Sequence, residues 1–360
     1  MNFRTIRTVL LHWFDKNQRD LPWRRTYDPY HVWISEIMLQ QTRMERVVRY
    51  FDEWMRQFPT INAVAAARRR AVLKAWEGLG YYSRARNIHT TAGILTARHG
   101  GTLPADRRQL LALPGIGPYT AAAILSIAFN LPHPVIDANV ERLLARLFDI
   151  DSPIKRERSR RRLEELMHRL LPTDDSRTFN QAIMEFGALV CTPKNPLCRA
   201  CPLTEQCRAL RIDAVGERPV SAGRRRIIPI EMACGILYHQ GKVFIQQRLD
   251  DDVWGGLWEF PGGRLKKGET PRQAMIREMA EETGFRLGSI RFLARVVHHY
   301  TRYRVTLHAF LCSPADNVTE PELRAAQAHA WETPAGLATY PFPAGHRRLI
   351  DAGLPTNFNP

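Results

Sequence analysis

The sequence predicts a multidomain protein in which an all-α domain is followed by an α+β domain. Three observations predict it. Apolar residues recur with a helical period from the N-terminus to about residue 190. Four cysteines then fall within the 17 residues Cys191 to Cys207. Beyond residue 229 the pattern changes to strands around a single capped helix.

A length of 360 residues is enough for two or three cores, and 44% hydrophobic with 24% charged residues suits a globular chain. The balance of 52 Lys and Arg against 36 Asp and Glu leaves a net charge of +16. A basic excess of that size favours a polyanionic partner, most simply nucleic acid, although a solvated cationic surface carries the same charge. The apolar run Val9-Leu10-Leu11 is too short for a secretory signal, and nothing approaches a membrane span. The expectation is a cytoplasmic chain, in which six cysteines point to metal or cluster ligation rather than disulfides.

Taken in order, residues 1 to 25 read as an amphipathic helix ending in Asp20-Leu21-Pro22-Trp23-Arg24-Arg25. Asp28-Pro29 opens a second helix that runs toward Gln40-Gln41-Thr42. Within it Glu36 lies among Ile34, Ile37 and Met38, an awkward place for a carboxylate. A nearby arginine would satisfy it. Burial would also raise its pKa, which a general acid working near neutral pH needs. Helical patterns continue over 44–58, 62–77 and 83–99, and Gly78-Leu79-Gly80-Tyr81-Tyr82 forms a turn between them. A Gly-flanked aromatic next to basic residues suits a wedge and phosphate contacts against DNA.

Two helical patterns then flank Pro114-Gly115-Ile116-Gly117-Pro118, a turn that allows left-handed backbone and close approach to a ligand. The amides of the helix starting at Tyr119 point back into this turn and can hold phosphate. Asp137 is a lone acid in the apolar stretch Pro134-Val135-Ile136-Asp137-Ala138-Asn139. An Asp before a helix is also an ordinary N-cap. Further helices are expected over 139–148, 155–171 and 175–190.

Cys191, Cys198, Cys201 and Cys207 are separated by six, two and five residues. Four thiolates so spaced can enclose one zinc ion or a four-iron cluster, and spacing alone does not separate the two. Cys234 and Cys312 lie in strand-like segments and read as buried thiols. Residues 212–228 have the basic, punctuated composition of a linker. Strands follow over 231–238, 242–248, 291–297 and 303–312. The helix Pro271–Thr283 has a capping box at Thr270, Pro at its first position and Gly284 at its end.

These residues resemble a known family over essentially the whole chain. Residues 1–211 are similar to the helix-hairpin-helix catalytic part of MutY-type adenine DNA glycosylases. The likeness is carried by Val32 to Thr42, Gly78 to Tyr82, Leu113 to Thr120, Val135 to Val140 and the cysteine spacing. The resemblance implies a [4Fe-4S] cluster on the four cysteines of loop 191–207. It implies removal of adenine mispaired with 8-oxoguanine, or with guanine, in double-stranded DNA by a monomer associated with a bacterial nucleoid. Glu36 would protonate adenine, Asp137 would stabilise the sugar cation, and Tyr119 and Asn139 would orient them. Trp23, Arg24 and Gln181 match positions that line the adenine pocket. Gln41 and Tyr81 match those that fill the vacated stack, Thr42 and Leu79 the 8-oxoguanine side, and the amides of Gly115 and Gly117 would hold phosphate.

Endonuclease III shares the hairpin and cluster but carries a lysine nucleophile where this chain has Tyr119. The expectation is therefore a monofunctional enzyme without a Schiff-base route to strand cleavage, with an endonuclease III-like glycosylase as the alternative. Ala138 replaces the glycine usual before the Asn.

Residues 229–360 resemble a Nudix fold. Gly263, Glu269 and Arg277-Glu278-Met279-Ala280-Glu281-Glu282 fit the complete Nudix pattern, and Glu278, Glu281 and Glu282 share one helix face able to bind Mg²⁺. Two roles follow, a lesion reader or an Mg²⁺-dependent hydrolase of oxidised nucleoside triphosphates. Tyr300-Thr301 aligns with the family's lesion-reading loop and favours the first; Arg302 replaces the usual His.

Overall fold

The computed structural model describes residues 2–221, 223, 226–315, 320–356 and 358; Ala222, Arg224 and Arg225 of the basic linker lie outside them. Contacts divide the chain into two units, and these do not follow chain order. The first comprises Met1–Ala66 and Asn87–Arg224; the second comprises Arg225–Pro360 together with the segment Ala67–Arg86.

The first unit is helical. Helix α1 (Phe3–Asn17) is capped by Asn2, whose side chain accepts from the amides of Arg4 and Thr5. It stops well before residue 25, because Pro22 opens a separate single turn, Pro22–Arg24, after extended Leu21. Helix α2 (Pro29–Leu39) starts on Asp28, which accepts from the amides of Tyr30 and His31. Helices α3 (Met44–Gln57) and α4 (Ile61–Ala66) follow. The pattern over 62–77 is two helices, since Arg68 is extended and α5 (Arg69–Ala75) begins after it. Helix α6 (Ser83–His99) leads to the hairpin pair α7 (Arg107–Leu111) and α8 (Pro118–Ala123), which continues as a π-helical turn over Ile124–Ala128. Helices α9 (Ala138–Leu147), α10 (Glu157–Leu170), α11 (Ser176–Leu189) and the short α12 (Arg208–Arg211) complete the unit. One apolar cluster joins Ile6 and Leu10 of α1, Leu143 and Leu147 of α9, Leu166 and Leu170 of α10, and Phe179, Ile183 and Phe186 of α11.

The second unit is a mixed sheet with helices on both faces. Strands β1 (Ile228–His239), β2 (Lys242–Arg248), β3 (Trp258–Glu259) and β4 (Gly262–Arg264) precede helix α13 (Pro271–Thr283); β5 (Leu287–Tyr300), β6 (Tyr303–Pro314), β7 (Ala326–Glu332) and α14 (Ala344–Asp351) follow. The order is β3-β2-β1-β6-β5, with β4 on β1 and β7 on β2. The β1–β6 pair is parallel and the others are antiparallel. Alternate residues of β1 face opposite cores. Ala233 and Leu237 meet Ala274, Met275 and Met279 of α13, whereas Cys234, Ile236 and Tyr238 join Phe342 and Leu349. Both remaining cysteines are buried, as the sequence suggests.

Segment 67–86 is fastened into this unit by polar contacts. Glu77 Oε1 accepts from the Phe342 amide at 2.8 Å and from Arg347 Nε at 2.8 Å. The Tyr82 hydroxyl donates to the Phe342 carbonyl at 3.2 Å, and Arg69 pairs with Asp250 at 2.6 Å. Among the described residues, no helix is long and apolar enough to cross a membrane.

Candidate active site

The first unit holds a cleft of about 450 Å³, a size that suits a small ligand such as a nucleobase. Two carboxylates from distant parts of the chain meet on its walls. Glu36 projects from the buried stretch of α2 and is 6% exposed. Its partner is a phenol rather than an arginine, since the Tyr119 hydroxyl donates to Glu36 Oε2 at 2.9 Å. Burial pushes the Glu36 carboxyl up to about 7; the charge of Asp137 adds to that, while the Tyr119 bond and Arg24 work against it. Burial also pushes the Tyr119 phenol well above its ordinary value, and the two carboxylates beside it act the same way.

Asp137 is at once the N-cap of α9 and a wall of the cleft. Its Oδ1 accepts from the Val140 amide at 2.8 Å and its Oδ2 from Asn139 Nδ2 at 2.6 Å. Burial raises its pKa, and those two donors together with the charge of Arg142 oppose the rise. Asn139 is fixed in turn by Arg142, whose Nη2 donates to Asn139 Oδ1 at 2.9 Å and to the Gly187 carbonyl at 2.6 Å. Gly187 is what lets α9 and α11 come this close, because a Cβ there would lie 2.8 Å from the Asn139 carbonyl oxygen.

The cleft also collects Trp23, Arg24, Gln41, Thr42 and Gln181. Gln41 adopts a left-handed backbone, φ 57°. Arg19, Met184 and Glu185 are among the wall residues that gave no signal in the sequence. Glu185 in particular sits in an ordinary helical run beside Met184 and Phe186, with nothing to mark it. The hairpin glycines differ from each other. Gly115 is left-handed, φ 79°, and a Cβ would meet Asn87 at 2.6 Å; Gly117 has extended backbone, φ −88°, with open space around it. The left-handed freedom expected of both is used by Gly115 alone.

Comparisons with known proteins bear on what this cleft does. The chain matches the HhH-GPD superfamily base excision DNA repair protein over residues 34–169 and the NUDIX domain over residues 232–352. The adenine DNA glycosylase of Buchnera aphidicola subsp. Schizaphis graminum is 34% identical over 262 residues, 72% of this chain and 76% of the relative. That of Mus musculus is 33% identical over 361 residues, 85% of this chain and 70% of the relative. A solved thermostable thymine-DNA glycosylase shares 28% identity with a TM-score of 0.55, covering 58% of this chain and 97% of its own.

The chain belongs to the adenine DNA glycosylase family. It is a DNA N-glycosylase with a C-terminal Nudix domain. An endonuclease III–DNA complex, 23% identical with a TM-score of 0.51 over 59% of this chain and 98% of its own, shares the helical fold.

Other residues singled out in the sequence lie elsewhere. In the second unit Tyr81 has left-handed backbone, φ 49°, and its ring is 5.9 Å from that of Tyr300, which Trp254 meets edge-on at 5.5 Å. Leu79 is buried, at 6% exposed. Thr301, at the tip of the β5–β6 hairpin, is also left-handed, φ 52°. Tyr81 and Thr301 therefore hold conformations that cost side-chain-bearing residues on the order of 1 kcal/mol, a strain that gathers at functional loops.

In the first unit the four cysteines Cys191, Cys198, Cys201 and Cys207 line one cavity with Leu143, Leu147 and Val190. Arg146 Nη1 donates toward Cys191 Sγ at 3.3 Å. Among the described residues no group of three or more His, Cys, Asp or Glu gathers closely enough to hold a single metal ion. That holds for the Nudix helix too. Arg277 takes Glu269, Glu278 and Glu281 as partners at 2.7, 2.8 and 2.9 Å. Glu282 turns inward, accepting from the Gly262 amide at 3.0 Å and Gln246 Nε2 at 2.8 Å. Its carboxyl is pushed up to about 8 by burial and by Glu259. The three acids therefore do not converge on one point.

Proposed function

We propose that this enzyme excises adenine mispaired with 8-oxoguanine, and with guanine, leaving an abasic site. One observation carries the reading: Glu36, held near 7 by burial, faces Asp137 in the same cleft with Tyr119 bonded between helices. Breaking a glycosidic bond demands a proton for the leaving base and an anion for the sugar cation left behind. Everting the base costs a few kcal/mol, least for a mispaired one. Glu36, about half protonated at neutral pH because burial lifts it to about 7, protonates adenine at N7 as the C1′–N9 bond breaks. Asp137 is the better anion, because donors satisfy both its oxygens. Water then adds to C1′, giving its proton to the Glu36 carboxylate and restoring the acid. Tyr119 occupies the place where an amine would be needed for strand cleavage, so the enzyme stops at the abasic site.

Four thiols lining one cavity fit a thiolate-held cluster, and Cys191, Cys198, Cys201 and Cys207 would hold [4Fe-4S]. A cluster held by these four residues would cross-link the 191–207 loop. In the second unit the strained pair Tyr81 and Thr301, with Tyr300 between the rings of Tyr81 and Trp254, supports lesion reading. The carboxylates of α13 are engaged with Arg277 and the sheet, so no step is routed through Mg²⁺.

Single-turnover base release by the full-length protein on A:8-oxoguanine, A:G and thymine-glycol duplexes, with and without alkali, tests this. Release from the first two, with strand breaks only after alkali, is the expected result. Asp137→Asn should lower the rate by at least about a hundredfold; full activity in that variant would sink the carboxylate pair. Turnover of 8-oxo-dGTP with Mg²⁺ that vanishes in Glu281→Gln would establish the hydrolase role instead.

A further inference from the structure

Resting on that reading, one buried acid in the cleft has no part in the chemistry described. Glu185 lies on α11, one turn after Gln181, and is 2% exposed. Its Oε1 accepts from Arg19 Nε at 2.8 Å and from the Arg19 amide at 3.0 Å. Its Oε2 accepts from Arg19 Nη2 at 2.8 Å and Arg24 Nη2 at 3.0 Å. Arg24 Nη1 adds a contact to Oε1 at 3.3 Å and donates to the Arg19 carbonyl at 3.1 Å. One carboxylate thus holds two guanidiniums, and the three groups line the same cleft as Glu36 and Asp137.

Two arginines beside a buried acid pull in opposite directions. Their N–H groups are good donors for the edge of a purine. Their charges, in a site of low dielectric, strip the proton from any carboxylic acid nearby. Arg24 already acts on Glu36 in that sense. A Glu36 without its proton cannot protonate adenine.

We propose that Glu185 is the counter-charge that keeps Glu36 a proton donor, fixing Arg19 and Arg24 as hydrogen-bonding walls of the base pocket while cancelling one of their two positive charges. Glu185 is a positioning residue that works through the arginines, and they hold its own carboxyl down at about 2, so it stays ionised wherever the enzyme works. The groups that face Glu36 are Tyr119 from α8, Asp137 at the head of α9 and Arg24 from the 22–24 turn. Arg19 is bonded to the same Glu185 carboxylate, with Glu45 of α3 in its field. Burial and Asp137 favour the protonated form; Arg24 and the Tyr119 bond oppose it.

The test is the pH profile of single-turnover adenine release by the full-length protein, over about pH 5 to 9. The wild-type rate should fall on the alkaline side as Glu36 ionises. In Glu185→Gln that fall should move to lower pH by about one unit, roughly a fivefold further loss at pH 8 relative to pH 6. Glu185→Asp keeps the charge and should leave the midpoint in place whatever it does to the amplitude. Arg19→Gln removes one cation and should move the midpoint to higher pH, a readout that survives if Glu185→Gln does not fold. Equal losses at every pH in Glu185→Gln, or an unmoved midpoint in Arg19→Gln, would overturn the proposal. A wild-type protein that releases no adenine takes down the functional reading, and this one with it, before any variant is made.

Discussion

A carboxylic acid kept near neutrality by burial leaves a mark on stability as well as on rate. The unfolded-state value for Glu36 is about 4.5, and the folded one is about 7. The native state therefore holds its proton more tightly, and its advantage at this site is complete below about pH 4.5 and lost as pH rises through about 7. Glu36→Gln removes the charge altogether. It should be more stable than the wild type at pH 8, by on the order of 3 kcal/mol, with the difference vanishing near pH 4. Denaturant melts at the two pH values check this, and a difference independent of pH would contradict the assigned burial effect. At this scale the sequence was legible where a residue was out of place. Glu36 among isoleucines and Asp137 among apolar neighbours both announced themselves. Glu185 did not, because its value lies in Arg19 and Arg24, which are more than 150 residues away in the chain.

Local chemistry also decided which elements the sequence revealed. Helix α13 spans Pro271–Thr283 as expected, with the Thr270–Gln273 capping box formed and Gly284 left-handed at φ 73°. Every stop and start signal there is intrinsic to the chain. Strand β7 carries no such signal. Its Ala-Gln-Ala-His-Ala-Trp alternation is too small in side-chain volume to read as a strand, and pairing with β2 makes it one. Helix α14 and the short β3 and β4 likewise depend on tertiary partners. The meeting of α9 with α11 belongs to the same class, since it turns on the single glycine 187. Gly187→Ala would force the helices apart at Asn139, costing about 1–3 kcal/mol in a denaturant melt. It should slow base release as well, because Asn139 steadies Asp137. Unchanged stability and rate would mean that the two helices yield more readily than their packing implies.

For the molecule as a whole, the net charge of +16 bears on the encounter with DNA rather than on the fold. If phosphate contacts supply most of the affinity, the logarithm of the association constant should fall linearly with the logarithm of salt, by about 0.9 per phosphate neutralised. Fluorescence anisotropy on a duplex at several salt concentrations measures the slope. A flat line would assign the charge to a solvated surface. The two-domain plan was readable from the change of period near residue 229, but the assignment of residues 67–86 was not. Their helical pattern is continuous with the first domain, and tertiary contacts such as those of Glu77, Tyr82 and Arg69 show where they pack. This has a practical consequence for anyone dividing the gene. Severing the tether near residue 225 does not yield two self-sufficient cassettes, because the downstream piece would leave behind the partners of Phe342, Arg347 and Asp250. A stand-alone version would have to import that internal stretch, by circular permutation or as an added peptide, before its behaviour spoke for the intact enzyme.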